Sequence, residues 1–376
     1  MTLFAVTFLL IYTLMHLMVW LGVRPLVPAG RRVRAGFATL AGVMIAAPIL
    51  TRLLERADLD LAARAMAWIG YLWMGFLWLA FALFTAQGAW NGVIRLAGRY
   101  RPALRGWVLA GRRPALFALI AVLGAGTWAF FEAADLRVER VTLQVAKLPP
   151  GLPRLRIVQV SDLHLGLINR EAVLDRVIET IRPLRPDLLV VTGDLLDAQR
   201  NHLEGLSAPW LRLAPPLGKF AVVGNHEAYA GRDNALDYLR AAGFRTLTNE
   251  LVTVGGLQIA GVPDPAWGEQ QGDARALAAA DPNLPVIFLK HRPWVDREAT
   301  DRFTLQLSGH AHRGQLFPFN LVTGLAYPLQ DGLYRLDGDS WLYTSRGTGS
   351  WGPPMRLLSP PELTLIELEP AAGASP

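Results

Sequence analysis

"LRIVQVSDLHLG" (residues 155–166) passes directly from strand-forming residues to an acid and an imidazole. Its first half, Leu155–Val160, reads as a buried strand bounded by polar residues. Its second half delivers Asp162 and His164, both competent to bind a metal. The same construction recurs four times. "DLLVV" (187–191) is followed by "GDLLD", with Asp194 and Asp197. "FAVV" (220–223) leads into "GNHE", with Asn225 and His226. "PVIFLK" (285–290) runs into His291, and "FTLQLS" (303–308) into "GHAHRGQ" (309–315), with His310 and His312.

Between these strands the periodicity becomes helical. "REAVLDRVIETI" (170–181) is amphipathic, and a second helix is expected near Asn234–Ala242. "LQIAGV" (257–262), "WLYTS" (341–345) and "LTLIEL" (363–368) add strands. Strands alternating with helices predict a layered α/β domain. Open α/β sheets place their sites at the carboxyl ends of strands, and five of the six histidines after residue 154 fall there. The sixth, His202 in "AQRNHLEG", reads as a loop residue. Gly193, Gly224 and Gly309 each precede a candidate ligand, where the backbone must turn sharply or approach an ion closely.

The ordered series D-x-H, G-D-x-x-D, G-N-H-E, a lone His and G-H-x-H resembles the calcineurin-like metallophosphoesterases. The resemblance covers about Arg154 to Leu368, and "YTSRGTGSWGPPMR" (343–356) resembles the bacterial membrane-associated branch of that family. It implies a four-layer α/β/β/α sandwich holding two divalent metal ions. Asp162, His164, Asp194 and His312 would hold one ion. Asp194, Asn225, His291 and His310 would hold the other, with Asp194 bridging. Such mixed carboxylate, amide and imidazole ligands suit Mn, Fe or Zn. The family mechanism implies that a hydroxide bridging the ions attacks a phosphoester in line. His226 corresponds to the histidine that stabilises the transition state or protonates the leaving oxygen, and Asp197 to the acid that orients it. Glu227 reads either as support for the ligands or as a solvated loop carboxylate. One departure concerns Arg313, where that branch commonly has Gly after the last histidine; the cation would contact a substrate phosphate or reshape the loop.

The chain has no cysteine, which excludes disulfides, thiolate zinc sites and a cysteine nucleophile. "GTGSWG" (347–352) fits a dinucleotide pattern, but Pro353 and Pro354 follow where a helix should open. The net charge of +6 is unevenly divided. Residues 1–131 carry 13 Arg against Glu55, Asp58 and Asp60, a charge of +10, leaving −4 for the remainder. A nucleic-acid-binding domain should be basic on the domain that binds, so nucleic acid is excluded as a partner. No sequence feature signals a protein partner.

Residues 1–131 form a domain of their own, with four apolar stretches at about 3–23, 36–50, 66–84 and 114–131. Each approaches the roughly 20 residues that a bilayer requires. Ten arginines (24, 31, 32, 34, 95, 99, 101, 105, 112 and 113) fall in the loops on one side, against Arg52, Arg56 and Arg64 on the other. The positive-inside rule puts the ten in the cytoplasm and everything after Phe131 outside it. A linker over 132–153, the metallophosphoesterase domain over 154–370 and a disordered tail over 371–376 complete the expected organisation. His16, inside the first span, reads as a packing or hydrogen-bonding residue.

These readings together predict a multi-pass protein of the bacterial inner membrane, with an extracytoplasmic phosphomonoesterase or phosphodiesterase acting on a lipid or cell-envelope substrate. A hydrolase of a UDP-diacylglucosamine-type pyrophosphate needs a cytoplasmic site instead. A non-catalytic metal-binding membrane sensor is the reading from another class; degenerate relatives usually lose ligands, and this set is intact.

Overall fold

The computed structural model describes residues 2–145, 148, 154–197, 203–268 and 272–371. His202 therefore lies outside the described residues, as do most of the expected tail and part of the expected linker. The described residues fall into two units, one within Met1–Phe131 and Gly352–Leu357 and the other within Glu132–Trp351 and Leu358–Pro376.

Four helices dominate the first unit: α1 (Thr2–Val23), α2 (Arg31–Arg56), α3 (Asp60–Tyr100) and α4 (Arg112–Glu132). All four are long and apolar enough to cross a membrane. Two outrun the expected stretches. α3 has 41 residues, about 60 Å at 1.5 Å per residue, twice a hydrocarbon core. Hydropathy marks only the part that lipid can cover, whereas the backbone ladder continues through polar helix formers such as Gln87 and Arg95. His16 is fully hydrogen-bonded: its Nδ1 lies 2.8 Å from the Tyr12 carbonyl, and Trp73 Nε1 donates to its Nε2 at 2.9 Å. It ties α1 to α3.

Twelve strands build two six-stranded sheets in the second unit. The first contains β1 (Arg137–Val145), β2 (Leu155–Val160), β3 (Leu188–Thr192), β4 (Lys219–Val222), β5 (Arg245–Thr246) and β12 (Glu362–Pro370). Their order is β1-β12-β2-β3-β4-β5. The second contains β6 (Glu250–Val254), β7 (Leu257–Val262), β8 (Val286–Lys290), β9 (Leu305–Ser308), β10 (Gly332–Arg335) and β11 (Trp341–Thr344), in the order β10-β11-β9-β8-β7-β6. β2, β3 and β4 are mutually parallel, as are β7, β8 and β9, so each set carries its ligand-bearing ends to one edge.

Alternation along the strands gives each sheet two apolar faces. Leu155, Ile157, Leu188, Val190 and Val222 meet Ile259, Ile287, Leu289, Leu305 and Leu307 in the core between the sheets. Val158, Val160, Leu189 and Val191 face outward against Leu174, Val177, Ile178 and Ile181 of α5 (Glu171–Ile181) and against Ala235 and Leu239 of α7 (Arg232–Ala241), which follows α6 (Asn225–Ala230). Beyond the second sheet the covering layer is thin: α8 (Asp273–Ala276) supplies Ala276, beside Phe303 and Ala299 from a loop. The layers are thus the expected α/β/β/α.

One boundary differs from expectation. The supposed linker contains β1, which pairs in parallel with β12 from Arg137↔Glu362 to Val145↔Pro370. β1 lies at the sheet edge with much of its surface exposed, so "RVERVTLQV" lacks the apolar run that would mark a central strand.

Candidate metal centre

Every strand-end motif arrives at the same edge. β2 leads to Asp162 and His164, β3 to Asp194, β4 to Asn225 and His226, β8 to His291, and β9 to His310 and His312. Ligand atoms of Asp162, His164 and His312 lie within 4.8 Å of one another, as do those of Asp194, His291 and His310, and those of His164, Asp194 and His226. Asp194 belongs to two of these groups, which suits a shared carboxylate. Helix α6 begins at Asn225, next to Gly224, whose place against Asp194 leaves no room for a Cβ.

The inner nitrogens face each other and the two carboxylates: His291 Nε2 lies 3.1 Å from Asp194 Oδ2 and His312 Nε2 3.4 Å from Asp162 Oδ1. His164 Nε2 and His312 Nε2 are 3.2 Å apart, and His310 Nδ1 and His291 Nε2 are 3.1 Å apart. Asn225 Oδ1 is buried with no hydrogen-bond partner, a costly arrangement unless a cation receives it. The outer atoms, by contrast, are held. His291 Nδ1 donates to the Thr192 carbonyl at 2.8 Å, and the Tyr327 hydroxyl sits 2.9 Å from His310 Nε2. Fixing the outer nitrogen sets the ring orientation and aims the inner one. The donor set and its orphaned atoms therefore fit a pair of divalent cations.

Charge is tightly compensated. Burial opposes ionisation of Asp162 and Asp194, yet His312 beside the first and His291 beside the second hold both carboxyls well below their usual range. His291 is buried too, but Asp194 and Asp162 push it up to about 10. Burial, with His226 and His312 nearby, brings His164 down to about 3; burial and His291 do the same to His310. A ligating imidazole must be neutral, so cation binding displaces the proton of His291.

His226 stands beside the cluster with a different partner. Its Nδ1 is 2.8 Å from Asp197 Oδ1, and its backbone N–H donates to Asp194 Oδ1 at 2.9 Å. Burial would lower its pKa, but Asp194 and Asp197 push it up to about 9. A protonated imidazole anchored in this way can donate from Nε2.

The backbone at the site is unusual. Asp162, His164, Asp194, His310 and His312 all have φ between 48° and 70°, a left-handed conformation costing about 1–2 kcal/mol per non-glycine residue. Arg313 shares it, at φ 49° and ψ 35°, a conformation that glycine would adopt without strain. Its Nε lies 3.4 Å from Asp331 Oδ2.

Motif reading left Glu227 open and missed other supports. Glu227 is a clamp rather than a solvated loop acid: it is 1% exposed and accepts from the N–H groups of Asp194, Leu196 and Gly224 at 2.7–3.0 Å. Burial and Asp194 push it up to about 7. Tyr327, 17 residues after His310, carries no motif. "GTGSWG", excluded as a nucleotide loop, lies against the first ligand strand: Thr348 N and Gly349 N donate to the Ser161 and Asp162 carbonyls at 2.7 and 3.0 Å.

Residues 155–314 match the family model described as calcineurin-like phosphoesterase. The chain is 40% identical over 258 residues to an uncharacterized metallophosphoesterase of Aquifex aeolicus, covering 66% of this chain and 98% of that one. It is 32% identical over 302 residues to a transmembrane protein with metallophosphoesterase domain of Danio rerio, covering 76% and 69%. Among solved structures, a 5'-nucleotidase precursor of Thermus thermophilus is similar at 18% identity and a TM-score of 0.36, over 59% of this chain and 56% of that one. This chain thus spans about half the length of that protein. With the family model and a relative matched over nearly its whole length, the chain belongs to the calcineurin-like metallophosphoesterases.

Proposed function

We propose that the chain is a membrane-anchored hydrolase of phosphomonoesters or phosphodiesters, working with two divalent ions, manganese foremost, at an extracytoplasmic site. The observation that carries this reading is the convergence of six candidate ligands from four strand ends, with His226 and the orphaned Oδ1 of Asn225 supplied by a fifth. Asp162, His164, Asp194 and His312 would hold one ion, and Asp194, Asn225, His291 and His310 the other. Such ions supply Lewis-acid stabilisation of phosphoryl charge and an activated water at neutral pH.

The chain's own groups do the rest. Asp197 fixes the His226 ring through Nδ1, so that Nε2–H points away from Asp197 and can be given to the leaving oxygen. The left-handed ligand backbones hold the donors before a substrate arrives, which limits reorganisation during reaction. Arg313 is engaged with Asp331, which supports the loop-shaping role over a direct phosphate contact.

The test is hydrolysis of aryl phosphomonoesters and phosphodiesters by the full-length protein supplied with Mn, Fe or Zn, alongside Asp194→Ala. Metal-dependent turnover that chelation abolishes and that the variant lacks is the expected result. Equal rates for the two proteins with every metal would overturn the reading.

A further inference from the structure

Residues 314–330 form the longest uncharged stretch of the metallophosphoesterase domain around the site, bounded by Arg313 and Asp331. Within it lies α9 (Asn320–Ala326), which buries none of its residues. Its apolar side chains point outward: Leu321 is 65% exposed, Val322 51% and Leu325 86%. Phe317 and Phe319, just before the helix, are also exposed. A surface helix of a globular domain normally turns its apolar stripe to the core, and isolated exposed apolar residues need no explanation. Five of them within nine residues do.

The position of this patch narrows what covers it. α9 follows the ligands His310 and His312 directly, and it ends on Tyr327, whose hydroxyl holds His310. The apolar face and the tyrosine that holds a candidate ligand therefore lie on one short segment. The helix α4 also ends at Glu132 and β1 begins at Arg137. The four residues between them reach at most about 14 Å when extended, so the domain's first strand is tethered within that length of the end of α4.

We propose that the face formed by Phe317, Phe319, Leu321, Val322 and Leu325 docks on the lipid surface, and that the phosphoester cleaved beside it belongs to a lipid whose chains lie along this face. The lipid assignment rests on the phosphoesterase reading above; the docking does not. An apolar face seated at the headgroup–acyl boundary lies some 5–10 Å deep, which would bring a lipid phosphate and the ligand cluster to the same level.

The absence of cysteine makes the docking directly measurable. Leu325→Cys, labelled with an environment-sensitive fluorophore, is compared with Asp339→Cys at a fully exposed position, in full-length protein in phosphatidylcholine–phosphatidylglycerol nanodiscs carrying nitroxide-labelled lipid. Blue-shifted emission and roughly threefold quenching at 325, against none at 339, are expected for insertion at that depth. Equal, water-like emission at both positions overturns the docking, and disulfide-linked dimers through Cys at 325 would overturn it in favour of a second copy of the chain. The substrate is tested with the p-nitrophenyl diesters of hexadecyl and methyl phosphate. The Leu321→Ser, Val322→Ser, Leu325→Ser triple variant should lower the hexadecyl-to-methyl ratio of kcat/KM roughly tenfold. An unchanged ratio overturns the lipid substrate. Hydrolysis of neither diester, nor of p-nitrophenyl phosphate, by the unaltered protein with any metal would instead sink the phosphoesterase reading, while the quenching result stands.

Discussion

His226 and His310 show how much a single outer hydrogen bond decides. Both rings present one nitrogen to the reacting region and spend the other on a fixed neighbour, Asp197 in one case and Tyr327 in the other. Asp197→Asn leaves the Asp194 charge but removes a second one that raises the His226 pKa, and it weakens the hold on the ring. Steady-state kinetics should show kcat lower by roughly 100-fold with KM little changed, the size of a lost general acid; an unchanged kcat would leave Asp197 a bystander. Tyr327→Phe keeps the ring stacked on Trp294, at 5.8 Å between centroids, and deletes only the hydroxyl. Titration calorimetry should show one of two metal sites weakened about tenfold, and equal affinities would exclude a positioning role. Asp197 was legible because it sits inside a motif. Tyr327 was not, because its partner is brought near by the fold alone.

At the scale of elements, the strand-end glycines have two separate reasons that their sequence positions do not distinguish. Gly193 has φ 92° and needs glycine for its backbone as well as for space, since a Cβ would meet His291 Nδ1 and Gly224. Gly224, at φ −93°, needs it for space, and so does Gly309, where a Cβ would collide with Ser161 Oγ and Asp162 Oδ2. Gly309→Ala should therefore push Asp162 aside and leave the protein folded by circular dichroism but deficient in bound metal by elemental analysis. Full metal content in this variant would show that the strand ends yield more than their packing suggests. The strands themselves were readable within one or two residues because β2, β3, β8 and β9 are buried on both faces and appear as short apolar runs. β1 escaped because an edge strand needs no such run.

For the whole molecule, charge asymmetry is the argument that reaches furthest. In the proposed topology the ten arginines lie on the cytoplasmic side of the four apolar helices, and the metallophosphoesterase domain lies on the other. A fusion of alkaline phosphatase after the last residue should be active in intact cells, and a fusion active only when confined to the cytoplasm as another reporter would reverse the topology. The helix count came directly from hydropathy, since lipid demands a certain length of apolar side chain. The extent of α3 did not, since a helix continues wherever its backbone ladder can.

Sequence alone determined the family: the order of the five motifs named it and supplied the candidate metal donors, because each motif is a local strand followed by its own polar residues. It also determined the four spans, because transfer into lipid depends on composition within one segment. Tertiary structure alone decided how those donors are held. The left-handed ligand backbones, the Glu227 clamp across two loops, the Tyr327–His310 contact, the pairing of β1 with β12 and the outward apolar face of α9 all depend on residues far apart in the chain or on a fold-imposed conformation. No local pattern encodes such pairings, since their free energy arises only when distant segments meet.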